Sequence, residues 1–173
     1  MKNVKNIVHV VGARPNFVKA APVLHAIEKK LSNVKQTLIH TGQHYDKNLS
    51  DVFFSVLDIP QPDINLNIGS KKQGKQVADV IVGVEDYILK NNTDLLLVYG
   101  DINSTLGAAI AGVKNKVKVA HIESGLRSFD SSMPEETNRL IVDRISNYHF
   151  VTEPSGEKNL LREGVNPKSI FFV

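Results

Sequence analysis

Short apolar runs alternate along this chain with stretches in which apolar residues return at helical spacing. Lys5–Val11 and Leu95–Tyr99 are nearly unbroken runs rich in Val, Ile and Leu, as in strands that are buried on both faces of a sheet. Between such runs, Phe17, Leu24 and Ile27 fall on one face of a helix. This alternation predicts an α/β fold, with an open, mainly parallel sheet and helices on both of its faces.

The same patterns give the expected elements in order. Strands are predicted at Lys5–Val11, Val34–His40, Asp63–Ile68, Leu95–Tyr99, Val117–Ala120, Tyr148–Thr152 and Ser169–Val173. Helices are predicted at Phe17–Leu31, Leu49–Leu57, Val77–Ile88, Leu106–Val113, Pro134–Ile145 and Ser155–Glu163.

Composition is that of one globular domain. The chain has 173 residues, of which 42% are hydrophobic and 23% are charged. It contains no cysteine, so neither disulfides nor thiolate metal sites are expected. No signal peptide or membrane-spanning run is apparent, and a cytoplasmic location without membrane attachment is expected.

The net charge of +3 comes mainly from lysines that are scattered through the predicted helices and loops. They form no basic stripe interleaved with aromatic residues, so nucleic-acid binding is not expected. The five arginines are few by comparison, and Arg14, Arg127 and Arg139 lie within the motifs described next. Arginine in such positions favours the recognition of anions, because its planar guanidinium binds them through two hydrogen bonds.

Carboxylates follow two of the predicted strands and begin one of the helices. Asp101 comes directly after the strand Leu95–Tyr99, and Glu123 follows the next strand. Glu135 lies just after Pro134, which suits the first position of a helix. Because ligands of open α/β sheets bind outside the carboxyl ends of the strands, these residues are candidates for catalysis. For the neighbouring Glu136 we favour a capping role with a solvated charge.

Two glycine-containing turns are candidates for phosphate binding. In Gly12–Asn16, the turn before the first helix resembles a nest of free backbone N–H groups, with Arg14 and Lys19 beside it. An ordinary strand-to-helix turn explains it about as well. Gly69–Gln76 nearly matches a Walker A loop, but Gln76 replaces the Ser or Thr that binds magnesium, so we interpret it as a flexible polar loop.

Five motifs in order resemble the non-hydrolysing UDP-N-acetylglucosamine 2-epimerases. They are Gly12–Lys19, Thr41–His44, Gly100–Asp101, Glu123–Arg127 and Pro134–Arg139. The resemblance implies the GT-B architecture, in which two Rossmann-like domains face each other across a cleft. It also implies that residues 1–173 correspond to the N-terminal domain, with the C-terminal UDP-binding domain absent from this chain.

By resemblance, the full-length protein interconverts UDP-GlcNAc and UDP-ManNAc through elimination and re-addition of UDP, without metal or cofactor. The implied catalytic residues are Asp101, Glu123 and Glu135, and the implied substrate-binding residues are Arg14, Lys19, Gln43, His44, Arg127, Asn138 and Arg139. The resemblance also implies a homodimer and a role in the biosynthesis of cell-surface polysaccharides. This half alone is expected to be inactive, because its cleft has only one wall.

Three other functions remain open at this point. A hydrolysing epimerase that releases ManNAc and UDP shares the fold. Half of a GT-B glycosyltransferase would also fit, as would a non-catalytic module that binds nucleotide sugars. The three carboxylates argue against the last, since a binding module needs no acid or base. An NAD-dependent route is disfavoured, because the first turn, Gly12–Phe17, lacks the Gly-x-Gly-x-x-Gly pattern.

Overall fold

Seven parallel strands form one sheet in the structure, a computed structural model that describes residues 4–42 and 60–173. Elements are numbered within those residues. The order across the sheet is β3-β2-β1-β4-β5-β6-β7. The strands are β1 (Asn6–Val11), β2 (Lys35–His40), β3 (Ile64–Asn65), β4 (Leu95–Tyr99), β5 (Lys118–Ile122), β6 (Tyr148–Val151) and β7 (Ile170–Phe172).

Five α-helices lie between the strands within residues 4–42 and 60–173. They are α1 (Arg14–Lys30), α2 (Gln73–Lys90), α3 (Asn103–Lys114), α4 (Pro134–Ile145) and α5 (Pro154–Arg162), and a 3₁₀ turn at Pro167–Ser169 precedes β7. Helices α1, α4 and α5 each have a proline in the first two positions, where its missing N–H costs no hydrogen bond. None of the helices within 4–42 and 60–173 is long and apolar enough to cross a membrane.

Alternation along the central strands divides the core into two layers. Val8 and Val10 of β1 point to the face that α2, α3 and α4 cover, where they join Leu96 and Val98 of β4. Their neighbours Ile7, Val11, Leu97 and Tyr99 point to the face where α1 packs through Phe17, Ala20, Ala21 and Leu24. Helices therefore cover both faces, and the expected Rossmann-like α/β fold is confirmed.

The second layer is only partly covered. An apolar groove of about 750 Å³ runs between α1 and the strands β4, β5 and β6. Ile27 of α1, Leu97 of β4 and Phe150 of β6 are among its lining residues. Lys19 and Glu123 also line this groove.

Four histidines are buried inside the sheet. Their side chains are at most 2% exposed, and they come from four different strands: His9, His40, His121 and His149. Burial lowers the pKa of His9 and that of His40 to about 4, because a charged imidazole loses its hydration there. These two rings are therefore neutral near pH 7.

The strand predicted at Asp63–Ile68 is wrong in its length, since β3 contains only Ile64 and Asn65. Asp63 uses its side chain rather than its backbone to reach the sheet, accepting a hydrogen bond from the Leu38 N–H at 2.7 Å. Asn67 has a φ of 51°, which ends the extended conformation. The helix predicted at Leu49–Leu57 lies outside the described residues.

Candidate active site

The turns after β4 and β5 bring two of the predicted carboxylates to one edge of the sheet. These strands are parallel neighbours, with Tyr99 paired to Ile122, so the residues that follow them emerge side by side. Gly100 has a φ of 63°, and a Cβ built on it would lie 3.4 Å from Glu123 Oε2. The backbone that leads to Asp101 thus passes directly beside the Glu123 carboxylate.

Glu123 pairs with a lysine of the first helix. Lys19 Nζ donates a hydrogen bond to Glu123 Oε2, and the two side chains remain 28% and 25% exposed. Glu123 itself has a φ of 69°, a conformation that non-glycine residues adopt at a cost of about 1–3 kcal/mol and that is frequent at functional sites. Both charged groups keep access to solvent and to a ligand.

The expected nest of free N–H groups after β1 is wrong for Gly12 and Ala13. Asn16 is buried, and its Oδ1 accepts hydrogen bonds from the N–H groups of Gly12 at 3.1 Å and Ala13 at 3.3 Å. Buried backbone donors need partners, and Asn16 supplies one from within the turn. Its Nδ2 donates to the Tyr99 carbonyl at 2.9 Å, which joins this turn to β4. Arg14, one position later than Ala13, is exposed.

Asp101 is held by an arginine of α4. Arg139 donates to Asp101 Oδ2 from Nε at 3.0 Å and from Nη2 at 2.5 Å. Asn138 donates from Nδ2 to the Asp101 carbonyl at 2.8 Å. Three predicted site residues are thus joined in one network, and the Asp101 side chain is still 28% exposed.

Glu136 is buried rather than solvated, so the expectation of a solvated cap is wrong. Its carboxylate accepts hydrogen bonds from the N–H and hydroxyl of Ser128, from the N–H of Phe129 and from Arg139 Nη1, at 2.8–3.1 Å. Burial alone would raise the pKa of Glu136, but these donors and the Arg139 charge outweigh it and lower the pKa to about 2. Glu136 therefore holds the loop before α4 in place.

Glu135 faces a polar cavity of about 230 Å³ between α2, α3 and α4. The cavity is also lined by Ser70, Lys71, Gln73, Gln76, Ile102, Asn103 and Asn138. Part of the supposed flexible loop 69–76 therefore belongs to the wall of a candidate site. Residues 73–76 form the first turn of α2, and the buried Gln76 is fixed by hydrogen bonds to the Gly69 carbonyl at 2.9 Å and Asn103 Nδ2 at 2.8 Å. Two features of the sequence could have indicated this helical turn: the amide side chain of Gln76 and the helical spacing between Gln76 and Val80.

Arg127, a predicted substrate-binding residue, has a side chain that is only 1% exposed. Its Nη1 donates to Asp143 Oδ2 at 2.7 Å, and its Nε and Nη2 donate to the two Glu163 oxygens at 2.8 and 2.6 Å. Substrate binding by Arg127 stays a prediction. Gln43 and His44 lie outside the described residues.

Asp143 is a further buried carboxylate at this edge, which the sequence analysis did not single out. It accepts hydrogen bonds from His121 Nδ1 at 2.6 Å, the Gly125 N–H at 3.0 Å and Arg127. Burial would raise the pKa of Asp143, but the hydrogen bond and charge of His121, together with Arg127, hold it below the ordinary value.

Three carboxylates and two cations at this edge can therefore reach a ligand: Asp101, Glu123, Glu135, Lys19 and Arg139. Carboxylates within reach of a substrate can take and return a proton, and cations can stabilise a departing phosphate. No cluster of three or more potential metal ligands occurs among residues 4–42 and 60–173.

Comparisons with known proteins agree on one family. The family profile described as UDP-N-acetylglucosamine 2-epimerase matches residues 25–173. A protein of Methanococcus maripaludis named UDP-N-acetylglucosamine 2-epimerase homolog is 49% identical over 167 residues, which are 96% of this chain and 46% of that protein. The UDP-2,3-diacetamido-2,3-dideoxy-D-glucuronate 2-epimerase of Pseudomonas aeruginosa is 43% identical over 96% of this chain and 47% of its own length.

A solved structure shows the same fold. The UDP-GlcNAc 2-epimerase of Methanocaldococcus jannaschii, in complex with UDP-GlcNAc and UDP, superposes with a TM-score of 0.93 at 42% identity. The match covers 97% of this chain and 46% of that one. The chain spans slightly less than half the length of the curated relatives that it matches.

Proposed function

The chain belongs to the UDP-N-acetylglucosamine 2-epimerase family, and we propose that it forms one wall of an active site that interconverts UDP-GlcNAc and UDP-ManNAc. The observation that carries this proposal is the group of three solvent-accessible carboxylates at one sheet edge, Asp101, Glu123 and Glu135, with Lys19 and Arg139 beside them. The other wall would come from a second Rossmann-like domain in the GT-B arrangement.

The reaction proceeds by elimination and re-addition. The C1–O bond breaks and UDP leaves with the bonding electrons, while a carboxylate removes the proton from C2, so that 2-acetamidoglucal forms. A carboxylate then returns a proton to the opposite face of C2, and a UDP oxygen bonds to C1 again. The C2 proton becomes acidic only as the ring gains positive charge, so a nearby carboxylate that stabilises the ring accelerates the same step.

Asp101, Glu123 and Glu135 share these tasks, and the cations act on the leaving group. Lys19, which pairs with Glu123, would contact the departing pyrophosphate, and Arg14 begins the same helix. Arg139 holds Asp101 in place through its Nε and Nη2 atoms. Asn138 also holds this turn, through the Asp101 carbonyl, and lines the same cavity as Glu135.

The test is isotope incorporation by a protein that contains this chain and the rest of its gene product. With UDP-GlcNAc in D₂O, it should produce UDP-ManNAc and place deuterium at C2 of both sugars. Glu123→Gln and Glu135→Gln should lower the rate by about 10²–10⁴-fold, the usual effect of losing an acid–base group, while both variants still unfold cooperatively. The matched control is Glu157→Gln, at an exposed residue of α5, which should retain full activity.

Product analysis separates the alternatives. Free ManNAc and UDP would identify a hydrolysing enzyme, and turnover without deuterium at C2 would rule out elimination.

The Pseudomonas aeruginosa relative is 43% identical over 96% of this chain, and its name favours a second candidate substrate, UDP-2,3-diacetamido-2,3-dideoxy-D-glucuronate. Assaying both nucleotide sugars side by side decides which one the protein prefers.

The 173-residue chain alone should not catalyse the reaction, because an elimination needs a held leaving group and a site from which water is excluded. Deuterium exchange by the isolated chain would contradict this.

We also propose a homodimer through the outer side of α2, where Val82 is 56% and Leu89 is 70% exposed. Light scattering that shows a monomer at high concentration would exclude it. Cytoplasmic location and a role in cell-surface polysaccharide synthesis stay predictions.

A further inference from the structure

Asp143 connects the parts of the chain that hold the candidate catalytic groups, although its own side chain is completely buried. It lies near the end of α4, and its three donors, His121, Gly125 and Arg127, all belong to one segment. That segment contains Glu123. These hydrogen bonds therefore anchor the His121 side chain, two residues before Glu123, and the Gly125 backbone, two residues after it.

His121 extends this connection to the neighbouring turn. Its Nε2 donates a hydrogen bond to the Gly100 carbonyl at 2.7 Å, while its Nδ1 donates to Asp143 Oδ1 at 2.6 Å. The ring is 1% exposed and lies between two fixed acceptors, so its orientation is set at both nitrogens. Gly100 directly precedes Asp101. One buried carboxylate thus holds, through a single histidine, the turns that present two of the proposed catalytic groups.

The local backbone needs such support. Glu123 and Gly125 have φ values of 69° and 81°, and the first of these is strained for a residue with a side chain. Strained residues persist where their surroundings determine the conformation. Gly125 is further confined by α5, because a Cβ there would lie 2.4 Å from the Gly156 carbonyl oxygen. The hydrogen bonds of Asp143 and the packing of α5 together fix the turn.

We propose that Asp143 is a positioning residue of the epimerase, which sets the separation between Glu123 and the Asp101 turn through His121 and Gly125. This inference rests on the function proposed above. Asp143 is not catalytic, since its buried carboxylate cannot contact a substrate. A displacement of about 1 Å of a catalytic group is enough to cost about 10²-fold in rate, so the effect should appear in turnover.

The test uses the protein that contains both halves, assayed with UDP-GlcNAc at a temperature where each variant is fully folded. Asp143→Asn keeps the size of the side chain but replaces one acceptor oxygen with a donor. It should lower kcat about 10²-fold and leave KM within about twofold, because substrate contacts remain while the geometry of the transition state is lost. The matched control is Glu163→Gln, which replaces one of the two Glu163 oxygens that accept hydrogen bonds from Arg127 and should leave kcat unchanged.

His121→Asn tests the bridge by itself, because it removes the contact with Gly100 and leaves Asp143 bonded to Gly125 and Arg127. It also serves if Asp143→Asn does not fold. It should reduce kcat to a similar extent. The kcat of the double variant should be no lower than that of the less active single variant, because both changes act on one connection.

Normal kcat in folded Asp143→Asn or His121→Asn, a loss confined to KM, or losses that multiply in the double variant would each overturn the inference. An unmodified protein that fails to epimerise any nucleotide sugar would instead refute the proposed function, so the two failures are distinguishable.

Discussion

Glu135 and Glu136 are neighbours in the first turn of α4, yet they meet opposite environments. Glu136 is 4% exposed and accepts hydrogen bonds from Ser128, Phe129 and Arg139. Glu135 faces the 230 Å³ cavity and forms no hydrogen bond or ion pair with the part of the chain that the structure describes. The same side chain therefore stabilises a loop at one position and remains available to a ligand at the next.

The difference separates two kinds of charge at this edge, those that stabilise the fold and those that stay accessible to a ligand. Charges that stabilise the fold are buried and bonded on every side, as Glu136 and Asp143 are. Charges available for chemistry have fewer partners and keep some exposure, as Asp101 and Glu123 do. Partner number and burial distinguish the two kinds, whereas residue type does not.

The largest expected effect comes from neutralising the buried member of the pair. Glu136→Gln should destabilise the chain by about 3–5 kcal/mol, because it leaves N–H donors and Arg139 without the charge that they surround. Glu135→Gln should change the free energy of unfolding by less than about 0.5 kcal/mol. Urea unfolding of both variants measures the difference, and equal midpoints would refute the distinction between the two residues.

Lowering the pH tests buried groups that are neutral near pH 7, namely His9 and His40. Between pH 6.5 and about 4, the folded state holds fewer protons than the unfolded state at His9 and His40, so stability should fall as the pH is lowered through this range. The contribution of His9 is on the order of 3 kcal/mol. Glu136, whose pKa is lowered to about 2, should contribute a further loss only as the pH falls below 4.5.

Urea unfolding at several pH values between 7.5 and 4 measures this slope. His9→Gln, which removes one titrating group, should flatten it. Stability that stays constant between pH 7 and pH 5 would show that these histidines are protonated without cost.

The smallest effect is expected at an ion pair that is mostly exposed. Lys75 pairs with Asp79 one turn later on α2, and the lysine side chain is 64% exposed. Pairs of this kind contribute little, because water and salt screen them. Lys75→Gln should therefore leave the urea midpoint unchanged within error. A shift comparable to that of Glu136→Gln would mean that burial does not decide the value of a charge in this protein.

Local sequence patterns were sufficient to predict most of the strands and helices of the fold. Leu95–Tyr99 is a strand with the predicted bounds, and the helix predicted at Val77–Ile88 lies within α2. These predictions succeed because a strand or helix repeats its apolar positions within a few residues. The misjudged strand at Asp63–Ile68 depended instead on one side chain that bonds to β2, which no periodicity reveals.

The electrostatic environment of the site was not predictable in the same way. Arg127 looks like an exposed anion ligand in the sequence, but its partners Asp143 and Glu163 lie 16 and 36 residues away. Asp143 occupies the polar side of an apparently amphipathic helix, and only the packing of α4 against β5 makes it a buried acceptor. The candidate carboxylates were easier to find, because the position after a strand fixes which edge they occupy.

The order of strands in the sheet affects how this chain can fold while it is being synthesised on the ribosome. Of the seven described strands, β1 comes first in the sequence and lies in the interior of the sheet, and β2 and β3 extend the sheet to one side. β4 then pairs with the free side of β1, and β5, β6 and β7 follow outward in sequence. None of the strands within residues 4–42 and 60–173 has to be inserted between two that are already paired, so this part of the sheet can grow during synthesis by addition at its edges. Domains that fold as they emerge expose unpaired edges for less time, which limits aggregation of the nascent chain.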